Sequence, residues 1–146
     1  MINEWDFQVA IVAICEADTG PGGVVELHGG IAHPVREWND PAIAKLRPIT
    51  TIRVQPGRNG EATGHTRTGT VTLSAWVGRG AQGLESRILD RYEGKPDAPG
   101  ILTTPALAAH GIDGRLMKPR RVDVSDLTEE GGKAAAIKWD YTFTRP

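Results

Sequence analysis

Every second residue from Ala135 to Phe143 is apolar: Ala135, Ile137, Trp139, Tyr141 and Phe143, interleaved with Ala136, Lys138, Asp140 and Thr142. A period of two puts one set of side chains on a core and the other toward solvent, which only a half-buried β-strand does. Thr70–Val77 repeats the pattern, with Val71, Leu73, Ala75 and Val77 alternating with Thr70, Thr72, Ser74 and Trp76. Two such strands need an apolar layer over one face of their sheet, so the rest of the chain must supply covering elements.

Two stretches can do so. Asn3 is a capping residue with Asp6 three positions on, which predicts a helix from about Glu4 to Ala17 that stops at Gly20-Pro21-Gly22-Gly23. At about 100° per residue, Trp5, Val9 and Val12 share one side of it and Phe7, Ile11 and Ile14 the other. A helix apolar on two sides needs cover on two sides: one from its own sheet, the other from a neighbouring subunit. A short buried strand at Val9–Ile14 is the alternative. The second helix is expected from about Ala81 to Glu93, with Ala81, Leu84, Ile88 and Tyr92 on one stripe and Gly94 as its end.

Between these lie weaker signals. Val24–Leu27 reads as a short strand, Asp40-Pro41 as the start of a helix of one or two turns, and Ile49–Gln55 as a strand with Ile52 and Val54 facing the same way. Pro56–Gly69, with four glycines, reads as a long loop. Gly94–Gly114 reads as an irregular excursion with one short helix, Pro105–His110, capped by Thr104 and stopped by Gly111. Val122 and Val124 form one arm of a terminal hairpin, Ala135–Phe143 the other, and Glu129–Lys133 the turn. The expected fold is a single α+β domain over residues 1–146: a mainly antiparallel sheet, an N-terminal and a middle helix on one face, and a C-terminal β-hairpin.

Charge and cysteine content narrow the function classes. Seventeen Lys and Arg against 18 Asp and Glu leave a net charge of -1, which offers no general attraction to nucleic acid and implies no specific recognition of it. The longest apolar run, Val9–Cys15, is too short to span a bilayer, and the N-terminus does not resemble a signal peptide, so cytoplasmic assembly is expected. The single Cys15 lies in that apolar run and reads as a small core hydrophobe.

The motifs with chemical potential are few. Gly78-Arg79-Gly80-Ala81-Gln82-Gly83 matches G-x-G-x-x-G between a strand and a helix. The preceding strand alternates instead of being apolar on both faces, and a Gly-Lys-Pro-Asp turn follows the helix instead of a second parallel strand. The motif therefore reads as a turn. Gly57–Thr66 lacks the lysine of a P-loop. His28, His33, His65 and His110 are scattered without zinc-like spacing, and read as surface or turn residues. No catalytic, metal or cofactor residues are assigned.

The order of elements resembles the tail terminator, or tail-completion, proteins of long-tailed bacteriophages. The shared features are an N-terminal helix, the turn Leu27-His28-Gly29-Gly30-Ile31, the Pro-led strand Pro48–Val54, a Gly/Thr-rich lead-in to Thr70–Trp76, a helix near Gly80-Ala81-Gln82 and a terminal hairpin. Insertions at Ala32–Leu46 and Gly94–Gly114 depart from the compact pattern. The resemblance implies a virion protein that forms a homo-oligomeric ring, commonly hexameric, capping the tail tube and meeting the head-completion or connector protein. Another virion assembly protein (a head-closure ring or tail-tube subunit) and a small-ligand or enzymatic α+β domain are the alternatives.

The candidate interface residues follow from both readings. Trp5, Phe7, Ile11 and Ile14 come from the two-faced helix. Arg58, Asn59, Glu61, His65 and Arg67 come from the glycine-rich loop, and Arg79, Arg120 and Arg121 are cations beside loops.

Overall fold

The structure is a computed structural model that describes residues 3–41, 45–57, 66–123 and 133–144. The two alternating stretches form its centre. β3 (Thr66–Val77) and β8 (Lys133–Thr144) pair antiparallel over their whole length, with Val71 opposite Trp139, Leu73 opposite Ile137 and Ala75 opposite Ala135. The apolar sets of both strands thus share one face. β2 (Ile49–Pro56) lies antiparallel on the other side of β3, and β1 (Val35–Glu37) runs parallel beside β2 at the sheet edge. At the opposite edge, β6 (Gly114–Leu116) and β7 (Arg120–Asp123) both pair antiparallel with β8.

The helices cover the apolar face. α1 (Glu4–Glu16) starts at the predicted capping box: the Asp6 N–H donates to Asn3 Oδ1 at 3.0 Å, and the Asn3 N–H donates to Asp6 Oδ2 at 3.1 Å. Glu4, in its first turn, pairs with Arg67 Nε of β3 at 2.6 Å and ties the helix start to the sheet. One side of α1 is committed to the core: Phe7 stacks on Tyr141 and Phe143 with ring centroids 4.8 and 5.6 Å away, and Ile11 packs behind it. α3 (Leu84–Glu93) crosses β3 and β8 through Ile88, Leu89 and Tyr92. α4 (Thr104–Ala109) closes the end near β6 through Leu107. The fold is α+β with a mainly antiparallel sheet, as the patterning required.

Several elements differ from the sequence expectation. Val24–Leu27 is not a strand but the short helix α2. Its β-branched residues favour extension, yet Asp18 overrides them by accepting the Val24 N–H at 3.0 Å on its carboxylate and the Val25 N–H at 3.2 Å on its carbonyl. β3 begins at Thr66 rather than Thr70, because its polar lead-in finds partners on both sides, Gly69 facing Pro56 and Tyr141. α3 begins at Leu84 rather than Ala81, since Gly80 and Gly83 take φ of +88° and +96° and interrupt a helix. Thr103, not Thr104, caps α4 by accepting the Ala106 N–H at 3.2 Å. The excursion after α3 contains a small hairpin, β4 (Gly94–Lys95) with β5 (Ala98–Pro99). Val124 and the turn of the C-terminal hairpin, most of the glycine-rich loop and positions 42–44 of the helix expected from Asp40-Pro41 lie outside the described residues.

Candidate functional site

The second apolar side of α1 stays uncovered. Trp5 is 58% exposed and Val9 49%, whereas Phe7 and Ile11 are 0% exposed. Two of the four helix residues expected at an interface are therefore core residues. Phe7 and Ile11 are consumed by the aromatic pair Tyr141 and Phe143 and by the sheet beneath, and Ile14 is partly buried against the same cluster. Trp5 remains, joined by Val9 and Val12, which together with Val35, Arg36 and Glu37 of β1 line a groove of about 460 Å³. β1 is the terminal strand of the sheet, so its outer edge is unpaired among the described residues. An apolar helix face beside an open strand edge is a ready template for another chain.

The rim of the groove is mostly acidic. Glu16 faces His33 Nδ1 at 3.2 Å, Asp40 lies 3.7 Å from Arg36, and Glu37 is exposed without an ion pair to any described residue. The opposite sheet edge has the reverse character. There Met117 is 54% exposed between β6 and β7, and the exposed Arg115 and Lys118 flank it without ion pairs to any described residue.

The expected cationic contacts divide into two kinds. Arg121 is held within the chain by Asp90 and Glu93, both at 2.6 Å, and bridges β7 to α3. Arg67 likewise serves the Glu4 contact. Both side chains are held by acidic partners within the chain. Arg120 lies 3.7 Å from Asp140 but is largely exposed, and Arg79 is exposed in the turn before α3. Arg58, Asn59, Glu61 and His65 lie outside the described residues.

The uncovered face of the sheet is polar. Thr51, Ser74, Thr72 and Lys138 share it with Trp38, Arg53 and Trp76. Arg53 stacks over Trp38 at 4.4 Å, and Trp76 Nε1–H donates to Thr51 Oγ1 at 3.1 Å.

The Gly78–Gly83 turn has its own geometry. β3 before it is antiparallel to both neighbours, unlike the parallel strand of a dinucleotide fold. The start of α3 already meets an anion, because the buried Glu85 carboxylate accepts the Gly83 N–H at 2.9 Å and has Lys133 Nζ 3.5 Å away.

His28 is the feature that sequence reasoning misplaced. It is buried rather than on a surface turn. Its Nδ1–H donates to the Val24 carbonyl at 2.7 Å, which leaves Nε2 to accept the Thr50 hydroxyl at 2.8 Å. The Tyr92 hydroxyl in turn donates to Thr50 Oγ1 at 2.9 Å. The chain of donors runs one way and satisfies each buried polar group, while burial holds the imidazole pKa below its ordinary value. Its signal in the sequence is its place four residues after Val24 and directly after Leu27, one turn from an apolar residue, ahead of Gly29-Gly30. Cys15 is buried in the core, where desolvation pushes the thiol pKa far up and suppresses the reactive thiolate. Among the described residues, no His, Cys, Asp or Glu cluster is arranged to hold a metal ion, and no helix is long and apolar enough to cross a membrane.

Fold and surface together define a mixed α+β domain with one helix-covered sheet face and a two-sided N-terminal helix packed on only one side. No protein-family model and no curated protein matches the chain.

Proposed function

We propose that this chain is a structural assembly subunit that self-associates into a ring, as a tail terminator capping a phage tail tube and meeting the head connector. The observation that carries the self-association is the outer face of α1, where Trp5 and Val9 stand exposed beside the open edge of β1. A tryptophan and a valine on one stripe next to an unpaired strand form a contiguous apolar surface of the kind that marks a protein contact. The place in a virion rests on the order of elements: N-terminal helix, Pro-led strand, long central strand, middle helix, terminal hairpin.

The partners this reading names are further copies of the chain, the tail-tube protein and the head-completion protein. Light scattering on the purified chain tests the ring, and electron microscopy of tubes assembled with and without it tests the capping. A ring at one tube end and a defined tube length support the reading. A strict monomer that leaves tube length unchanged overturns it.

A further inference from the structure

We infer that copies of this chain join head to tail, the β6–β7 edge of one copy filling the α1–β1 groove of the next. Met117 seats against Trp5 and Val9, and Arg115 and Lys118 face Glu37. The inference rests on the self-association proposed above and names the counter-surface which that proposal leaves open.

Three observations converge on it. The two surfaces sit on opposite edges of one sheet, β1 at one end of the strand order and β6 at the other, separated by four interstrand spacings of about 4.8 Å each. Second, the large exposed apolar side chains among the described residues are Trp5, Val9, Trp38 and Met117. Trp38 carries Arg53 over its ring, which leaves Trp5 and Val9 on the groove and Met117 on the far edge. An unbranched thioether on a loop suits insertion beside an indole.

Third, charge decides between like and unlike edges. Pairing two β1 edges brings Glu37 against Glu37, and pairing two β6 edges brings Arg115 and Lys118 against their own kind. Unlike edges bring these charges, which make no ion pair with any described residue, together as opposites. A contact between two different surfaces of identical chains is heterologous, and repeats until it closes into a ring or runs on as a filament.

Two single variants test this together. Trp5→Asp spoils the groove and Met117→Asp spoils the edge, and both positions are exposed, so thermal unfolding should match that of the parent chain. Light scattering should give an assembly for the parent chain and a monomer for each variant alone. An equal mixture of the variants should give a two-chain species and nothing larger, since one sound groove and one sound edge remain. If either variant fails to fold, Glu37→Arg and Arg115→Glu replace them: each alone should be a monomer, and an equal mixture should regain the parent assembly, because the two reversed charges attract as the original pair does.

If Met117→Asp assembles like the parent while Trp5→Asp does not, self-association stands and the counter-surface is wrong. A mixture that stays monomeric points to a symmetric contact and overturns the head-to-tail arrangement. A monomeric parent chain removes both the ring and this contact.

Discussion

The ring of Tyr141 occupies the space that a side chain at position 69 would need. The two residues face each other across β3 and β8, and a Cβ on Gly69 would come within 2.5 Å of the Tyr141 hydroxyl as well as against the Gln55 carbonyl. The glycine thus lets an aromatic ring lie over the strand and hold Phe7 of α1. Burial of this hydroxyl, with Glu4 close by, pushes its pKa up to about 12, so it remains protonated in ordinary buffers.

Gly69→Ala should therefore destabilise the chain, although alanine ordinarily suits a strand no worse than glycine does. The expected loss is about 1–3 kcal/mol, typical of overpacking a tight site, read as a lower urea midpoint with an unchanged slope. Tyr141→Phe should cost less than about 1 kcal/mol, because its hydroxyl lies 3.5 Å from the Gln55 carbonyl and forms a long bond. Tyr141→Asp should abolish folding by placing a charge among Phe7 and Phe143. A Gly69→Ala midpoint at or above that of the parent would contradict the packing.

Asp18 joins three helices. Its carboxylate takes two hydrogen bonds from Arg91 of α3, at 2.6 and 2.7 Å, and the Val24 N–H of α2, just beyond the end of α1. The bonds from Arg91 hold its pKa below the ordinary 3.8. The folded state then binds this proton less readily than the unfolded chain. Its stabilisation is present above about pH 4 and is lost as pH falls through the depressed value. Asp18→Asn should cost about 1–3 kcal/mol at pH 7, and the difference from the parent should shrink toward pH 2. Urea melts at both pH values check it, and a constant difference would remove Asp18 from the acid dependence.

His28 predicts a pH effect in a different window. Burial favours its neutral form, so below about pH 6.5 the unfolded chain binds a proton that the folded chain resists. Stability should fall as pH drops from 7 to 5. His28→Gln, which keeps one donor and one acceptor, should flatten that slope while lowering stability at pH 7. Thermal melts across the range, parent against variant, isolate His28 from the other histidines. Equal slopes would mean that burial does not hold His28 neutral.

Legibility in the sequence followed the strength of the local signal. The central strands were readable because alternation in Thr70–Val77 and Ala135–Phe143 is a direct record of the pleat. The start of α1 was readable because Asn3 and Asp6 act within one turn. α2 was not, since it depends on Asp18, whose carboxylate reaches six residues ahead. The parallel strand β1 was hidden in three residues paired across the Pro48 turn.

The choice of which side of α1 meets the core could not be read locally either. Both sides are apolar, and the decision rests with Tyr141 and Phe143 at the far end of the chain. That choice buries Phe7 and Ile11 and leaves Trp5 and Val9 outside, which moves the candidate interface from one stripe to the other. Met117 carried no signal, because the short pair Leu116-Met117 lies between Arg115 and Lys118 without any periodicity, until the sheet placed it at the edge opposite β1.

The central claim is that the outer face of α1 is an interface between copies, and mass in solution tests it most directly. Light scattering over a concentration series should give a mass of several chains for the parent protein. It should fall to 15.7 kDa for folded Trp5→Asp. A parent chain that stays at 15.7 kDa at every concentration would contradict the account.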